Sequence, residues 1–264
     1  MLFRSPLFEQ IGKKLYLTAS GQELFLTCQD IFDRLSRFEM KIADFQGLKQ
    51  GKLKLATITT TKYFIPRALA PFCQLYPGVD IALEITNHER VLERLSDNLD
   101  DLYIISKVPE RLDVALYPFL ENPLVVVAPK NHPLAGEKNI SISKLQNEAF
   151  IMRERGSGTR AAVEQLFTEH NISVKVRLEL GGNEAIKQAI GVGFGISVLS
   201  QHTVTAEAAM SGLVILDVEH FPIERYWYIV YPVDKQLSIV ASTFFDFLQQ
   251  ESQAIADKMR GQIS

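Results

Sequence analysis

Cysteine, tryptophan and long apolar runs are scarce in this chain, and each scarcity excludes something. Only two cysteines occur in 264 residues, Cys28 and Cys73, far from any CxxC spacing. They are predicted to be packed thiols of a reducing compartment, not a disulfide framework or a thiolate metal site. No uncharged apolar stretch reaches the roughly 18 residues a membrane helix needs, so no membrane span is expected. The opening MLFRSPLFEQIGKKLYLT has no apolar stretch leading to a small-residue cleavage site, so a cytoplasmic location is expected. An excess of charge of one sign is also missing: 28 Lys and Arg face 31 Asp and Glu, for a net charge of -3. The whole chain is therefore not expected to coat nucleic acid, though a local basic element could still contact it. The histidines (His88, His132, His170, His202, His220) fall in predicted loops or helix ends without metal-ligand spacing such as HExxH. No serine lies in a GxSxG setting. The expectation is a protein with no metal site, no cofactor and no enzymatic activity. What the sequence does have is 47% hydrophobic and 22% charged residues, an ordinary globular balance over a length suited to one large or two small domains.

At residues 8–18, two short apolar runs flank Gly12-Lys13-Lys14, which reads as a tight hairpin with a basic tip. A helix start follows. Ser20 with Glu23 fits a capping box, and Thr18 is the alternative cap. Leu24, Cys28, Ile31, Leu35, Phe38, Ile42 and Phe45 then recur in a strict seven-residue repeat, with Asp, Glu, Lys and Arg between them. So narrow a stripe suits a coiled-coil seam, and the segment is read as a dimerising helix ending in a hinge at 47–51. A surface helix packed on its own domain is the plainer alternative.

Beyond Gly51 short apolar runs alternate with helical stretches. Strands are predicted at 52–58, 79–85 and 102–105, with helices at 61–76 and 88–96; this order predicts a parallel sheet with right-handed crossovers. Strands at 115–119 and 124–128 follow. A second cycle runs strand 149–152, helix 158–170, strand 174–180, helix 184–192, strand 195–199, then strand 226–231 and a closing helix at 237–259. Two similar α/β halves joined near 124–130 and 224–232 describe a two-lobed binder with a cleft between the lobes.

Three strand-to-helix junctions are rich in hydroxyl, amide and glycine residues: Thr57 to Thr61, Arg155 to Arg160, and Gly181 to Glu184. Each would offer free backbone N–H groups and polar donors at the positive end of a helix dipole, which suits carboxylate or phosphate oxygens. Arg153, Arg155 and Arg160 add positive charge at the middle one. Ser, Thr and Asn cap helices in all kinds of proteins, so each junction alone has a structural explanation. Together they single out Thr59, Thr60 and Thr61, Arg153, Arg155, Ser157 and Thr159, and Asn183 as candidate anion ligands. Asn87 and Ser106 are further candidates, with helix capping and a plain strand end as their structural alternatives. Gly191-Val-Gly193-Phe-Gly195 follows a helix and leads into a strand, the reverse of a nucleotide-binding loop, and is read as a turn.

The segment SPLFEQIGKKLYLTASGQELF resembles the wing and linker-helix start of a LysR-type transcriptional regulator. The remainder resembles that family's effector domain, most clearly at NPLVVVAPKNHPLAG, RERGSGTRAAVEQLF and LGGNEAIKQAIGVGFGISVLS, and is most similar to the CbbR-like branch that regulates CO2-fixation and carbon-uptake genes. The resemblance implies an α/β fold of two Rossmann-like lobes of the type II periplasmic-binding-protein kind. Residues 1–17 would be a winged-helix remnant and 18–47 the dimerising linker helix. Residues 51–264 would be the effector domain, with lobe I at about 51–126 and 229–264 and lobe II at about 127–228. It further implies homodimers or homotetramers, promoter DNA as partner, and an anionic effector such as ribulose 1,5-bisphosphate, 2-phosphoglycolate or 2-oxoglutarate. The family's base-reading helix precedes the wing, whereas here Met1 stands almost at the wing. Lys13 and Lys14 are thus the expected DNA contacts, to phosphates and not to bases. A free-standing solute-binding protein, or an enzyme acting on a small anion in the same cleft, are the competing readings.

Overall fold

The computed structural model describes residues 6–12, 14–44, 50–109, 112–205 and 212–260. The N-terminal hairpin pairs β1 (Phe8–Ile11) with β2 (Lys14–Leu17) and turns at Gly12, whose φ of +66° suits glycine. Helix α1 (Ala19–Asp44) follows. Its cap is Thr18, whose Oγ1 accepts the Gly21 N–H at 3.0 Å; Ser20 lies inside the helix, which corrects the capping-box expectation. Gly21 lets the helix cross the hairpin, since a Cβ there would lie 1.9 Å from the Leu7 carbonyl oxygen.

Lobe I is a five-stranded sheet in the order β4-β3-β5-β12-β6: β3 (Gly51–Ile58), β4 (Val79–Thr86), β5 (Leu102–Ile105), β6 (Val114–Glu121) and β12 (Tyr226–Pro232). Only β3, β4 and β5 are parallel. β12 runs antiparallel to both β5 and β6, so the predicted parallel sheet becomes a mixed one. The reason is topological: β12 enters from the other lobe without a crossover helix. The expected helix over 61–76 splits into a 3-10 turn, Thr59–Tyr63, and α2 (Ile65–Leu75), with Pro66 in the first helical turn, where its missing N–H is harmless. Helices α3 (His88–Ser96) and α7 (Ile239–Arg260) complete the lobe around a core that includes Phe64, Phe72, Tyr103, Trp227 and Phe244, all fully buried.

In lobe II, β7 (Leu124–Pro129) is flanked antiparallel by β10 (Ser197–Ser200) and β11 (Leu213–Leu216). Its alternate residues feed two different cores: Leu124, Val126 and Ala128 on one face, Val125 and Val127 on the other. Strand β11 was not anticipated. The parallel pair β8 (Ala149–Arg153) and β9 (Lys175–Leu180) carries α4 (Gly158–Glu169) and α5 (Asn183–Gly191), and the short α6 (Gln201–Thr205) follows β10.

The chain crosses between lobes twice, and the two crossings lie side by side. The Asn122 N–H donates to the Arg225 carbonyl at 2.6 Å, and Leu124 and Ile223 exchange backbone bonds of 3.0 and 2.9 Å. The lobe boundaries therefore fall at about 123 and 225, a few residues before the expected 126 and 228, because β7 belongs wholly to lobe II and β12 wholly to lobe I.

α1 approaches α7 of its own chain, yet Phe25, Leu26, Ile31 and Phe32 remain exposed. Of the seam, Leu24 and Cys28 are half-buried. Phe45, the side chains of Leu35, Phe38 and Ile42, Lys13 and most of the 47–51 hinge lie outside the described residues. Cys73 is exposed, not packed as expected, because it faces outward from α2.

Candidate functional site

The elements flanking the crossings deliver their ends to one place. β3 ends at the Thr59 turn, β5 ends at Ser106, and α4 points its N-terminus at both from the opposite lobe. They enclose a cavity of about 10 Å³ lined by Ile58, Thr59, Thr60, His88, Ser106, Asn122, Arg153, Ser157, Gly158 and Thr159. That is room for about one water molecule, so the lobes are closed on one another. Six of the sequence-predicted candidates meet here: Thr59, Thr60, Ser106, Arg153, Ser157 and Thr159.

Four do not. The Thr61 hydroxyl is bonded internally to Thr57 Oγ1 at 2.8 Å and to the Ile58 carbonyl at 2.9 Å. Asn87 caps α3, its Oδ1 accepting the Arg90 N–H at 2.9 Å, so its structural alternative holds. Arg155 is exposed and faces an adjoining open groove of about 570 Å³, with Lys107 and Arg160. Asn183 stands behind the cavity, where its Oδ1 accepts from Arg153 Nη1 at 2.7 Å while its buried Nδ2 has no partner among the described residues.

Hydroxyl polarity gives the cavity its chemistry. A hydroxyl has one proton, and its direction is set by what already occupies its oxygen. Thr59 Oγ1 accepts from Arg153 Nη2 at 3.3 Å, Thr60 Oγ1 from the Trp227 indole at 3.0 Å, and Ser106 Oγ from Arg225 Nη2. Each of these partners can only donate, so each hydroxyl turns its proton elsewhere. Ser157 makes no capping bond, and the N–H groups of Gly158, Thr159 and Arg160 find no acceptor among the described residues. Free amides at a helix N-terminus beside donor hydroxyls form a binding place for oxyanions. Within this set, Asn122 Oδ1 is a buried acceptor with no donor among the described residues.

The charges divide unevenly. Arg153, 2% exposed, is held bidentately by Glu154, with Nε–Oε2 at 2.7 Å and Nη2–Oε1 at 2.8 Å. Burial alone would raise the Glu154 pKa, but that guanidinium outweighs it and holds the carboxyl below its usual range. Arg160 is likewise paired, with Glu164 and Glu179. His88 is kept neutral: burial lowers its pKa against the Lys107 carbonyl bond, and the Arg225 and Lys107 charges lower it further. Across the cleft mouth, Glu184 of α5 clasps Lys62 and Tyr63 of lobe I. Partial burial works against its ionisation, yet those two partners bring its pKa down to about 2.

Sequence reasoning missed His88, Asn122 and Arg225. No local motif marks them, since they come from a helix start and the two crossings. The one available signal was the expectation that those connectors border the cleft. Among the described residues no group of three or more His, Cys, Asp or Glu could hold a metal ion, and no helix is long and apolar enough to cross a membrane.

With this geometry in view, the chain can be set beside known proteins. Residues 46–253 match the model of the LysR substrate binding domain. CmpR, a transcriptional activator of Synechocystis, is 52% identical over 251 residues, covering 95% of this chain and 83% of the relative. The RuBisCO operon transcriptional regulator of Acidithiobacillus ferrooxidans is 53% identical, covering 92% and 79%. Among solved structures, the CcmR regulatory domain of Synechocystis in complex with 2-PG superposes with a TM-score of 0.76 at 57% identity, covering 77% of this chain and 98% of that one. OxyR of Corynebacterium glutamicum, at 18% identity and a TM-score of 0.73, shares the fold. The chain belongs to the LysR family of transcriptional regulators, among relatives of the CmpR and CbbR kind.

Proposed function

We propose that this chain is the sensing part of a non-enzymatic regulator of carbon-fixation or inorganic-carbon uptake genes, and that an anionic metabolite bound between its lobes sets its state. The observation that carries the reading is the donor-lined cavity at the α4 N-terminus, where Thr59, Thr60, Ser106 and Ser157 meet the free amides of Gly158 and Thr159. A phosphate or carboxylate group satisfies such donors better than any neutral ligand. The 57% identical domain crystallised with 2-PG makes a phosphorylated small acid the first candidate, with 2-oxoglutarate and ribulose 1,5-bisphosphate as the others. Because the cavity holds about one water, binding requires the lobes to part and re-close around the ligand. The exposed apolar residues of α1 are the surface through which two copies would join, and the exposed Lys14 of the hairpin is placed to meet a DNA phosphate.

Calorimetric titration of the full chain with 2-PG, 2-oxoglutarate and ribulose 1,5-bisphosphate tests this. Saturable binding of at least one, weakened at least tenfold by Thr159→Val, is expected. No binding of any of the three up to millimolar concentration would refute the effector reading. A free-standing solute binder would run as a monomer in light scattering, and an enzyme would consume the ligand; neither is expected.

A further inference from the structure

Arg225 lies at the second crossing, beside two residues that line the cavity, and it differs from Arg153 and Arg160. Arg153 and Arg160 each hold a carboxylate. Among the described residues the Arg225 guanidinium makes two hydrogen bonds, both to neutral groups: Nη1 donates to the Gly158 carbonyl at 3.0 Å and Nη2 to Ser106 Oγ. Burial lowers its pKa to about 10, opposed by Tyr228, so it remains a full cation at neutral pH. A half-buried cation with no counter-ion among the described residues carries a desolvation cost, which is offset when a ligand brings the missing negative charge. The two groups it touches belong to opposite lobes and both line the cavity.

We propose that Arg225 is a positioning residue that makes the cleft selective for oxyanions of high charge by acting through the Ser106 hydroxyl. The proposal rests on the cleft being the effector site. Nη2 occupies the Ser106 oxygen and cannot accept a proton, so the Ser106 O–H turns away from it and toward the cavity. The ligand then feels a donor whose oxygen is polarised by a full positive charge one atom further back. Arg225 is half-buried, so the interaction is less screened than in bulk water and grows with the charge of the ligand. A phosphate monoester gains more from it than a dicarboxylate of similar size. Gly158 is close to both: a Cβ there would crowd Ser106 Oγ at 3.2 Å and touch Arg225 Nη2 at 3.5 Å.

The test measures affinity of the full chain for 2-PG and for malonate, which carries about one charge fewer. Wild type, Arg225→Lys, Arg225→Gln, Ser106→Ala and the Arg225→Gln/Ser106→Ala pair are compared by calorimetry, with thermal unfolding as a folding control. Arg225→Gln should weaken 2-PG at least tenfold and malonate about threefold or less, while Arg225→Lys keeps most of the 2-PG preference. Ser106→Ala should cost less in the Arg225→Gln background than in wild type, the non-additivity of residues acting as one unit. Equal losses for both ligands, or strict additivity, would overturn the proposal while leaving the effector site standing. If Arg225→Gln does not fold, Ser106→Ala decides alone: it must lower the 2-PG to malonate preference, and an unchanged ratio overturns the proposal. Wild type that binds neither ligand sinks the effector reading itself, and the proposal with it.

Discussion

Arg153 shows how little room the site leaves for change at the level of one residue. Its guanidinium bonds Glu154, Asn183 and Thr59 at once. Arg153→Met would strand a carboxylate and an amide, and should lower unfolding stability by about 2–3 kcal/mol, read from chemical denaturation. A loss under about 0.5 kcal/mol would show that water replaces it freely. His88 makes a pH prediction whose sign follows from its lowered pKa. The unfolded chain takes up a proton near pH 6.5 that the folded chain refuses, so this contribution is complete above about pH 6.5 and lost as the pH falls below it. His88→Gln should therefore flatten the acid limb of the melting temperature between about pH 7 and pH 5. An unchanged slope would assign that limb to other groups. These two residues differ in how readable they were. Arg153 stood beside a glycine- and hydroxyl-rich junction, the kind of local pattern that points to anions. His88 lacks metal-ligand spacing or any other local pattern, and only the closure of the lobes brings it to the cavity.

Elements were legible where hydrophobic period and breakers agreed. The hairpin turn at Gly12, the cleft-facing ends of β3, β5 and α4, and most helix limits follow from such patterns. Strand direction did not, because β12 and β10 look like any other apolar run, and their antiparallel pairing depends on which lobe the chain has just left. At the α3–α4 contact, Gly156 has φ of +79° and a Cβ there would lie 2.4 Å from Glu89 Oε2. Gly156→Ala strains the backbone and crowds the Glu89 side chain at a contact between the lobes, where the Glu89 N–H meets the Gly156 carbonyl at 3.2 Å. It should enlarge the radius of gyration in solution scattering. For α1, Phe32 is 67% and Ile31 57% exposed, large apolar areas for a helix to leave in water. With α1 as the proposed self-association surface, Phe32→Glu with Ile31→Glu should lower the mass in light scattering to that of a monomer; a mass equal to that of the wild type would move the surface elsewhere.

On the scale of the whole molecule, closure depends on groups from both lobes. Glu184 has its pKa lowered from the usual 4.5 to about 2, so its contribution is complete above about pH 4.5 and is lost as the pH falls from there toward 2. Glu184→Gln should therefore loosen closure equally at all physiological pH values while costing under about 1 kcal/mol of folding stability, since the pair is only half-buried and solvent screens it. Trp227 is the chain's one tryptophan, and its indole N–H holds Thr60 at the cavity wall. Its emission should shift on titration with 2-PG; a flat response alongside measurable heat would place the ligand outside this cavity. The two neighbouring crossings decide what kind of motion such a shift reports. Straps tied to each other behave as a door hinge with a single pin: they let one half swing and forbid it to slide. A guest wedged in the gap is thus converted into an angle, and an angle, unlike a small local displacement, grows with distance from the pin.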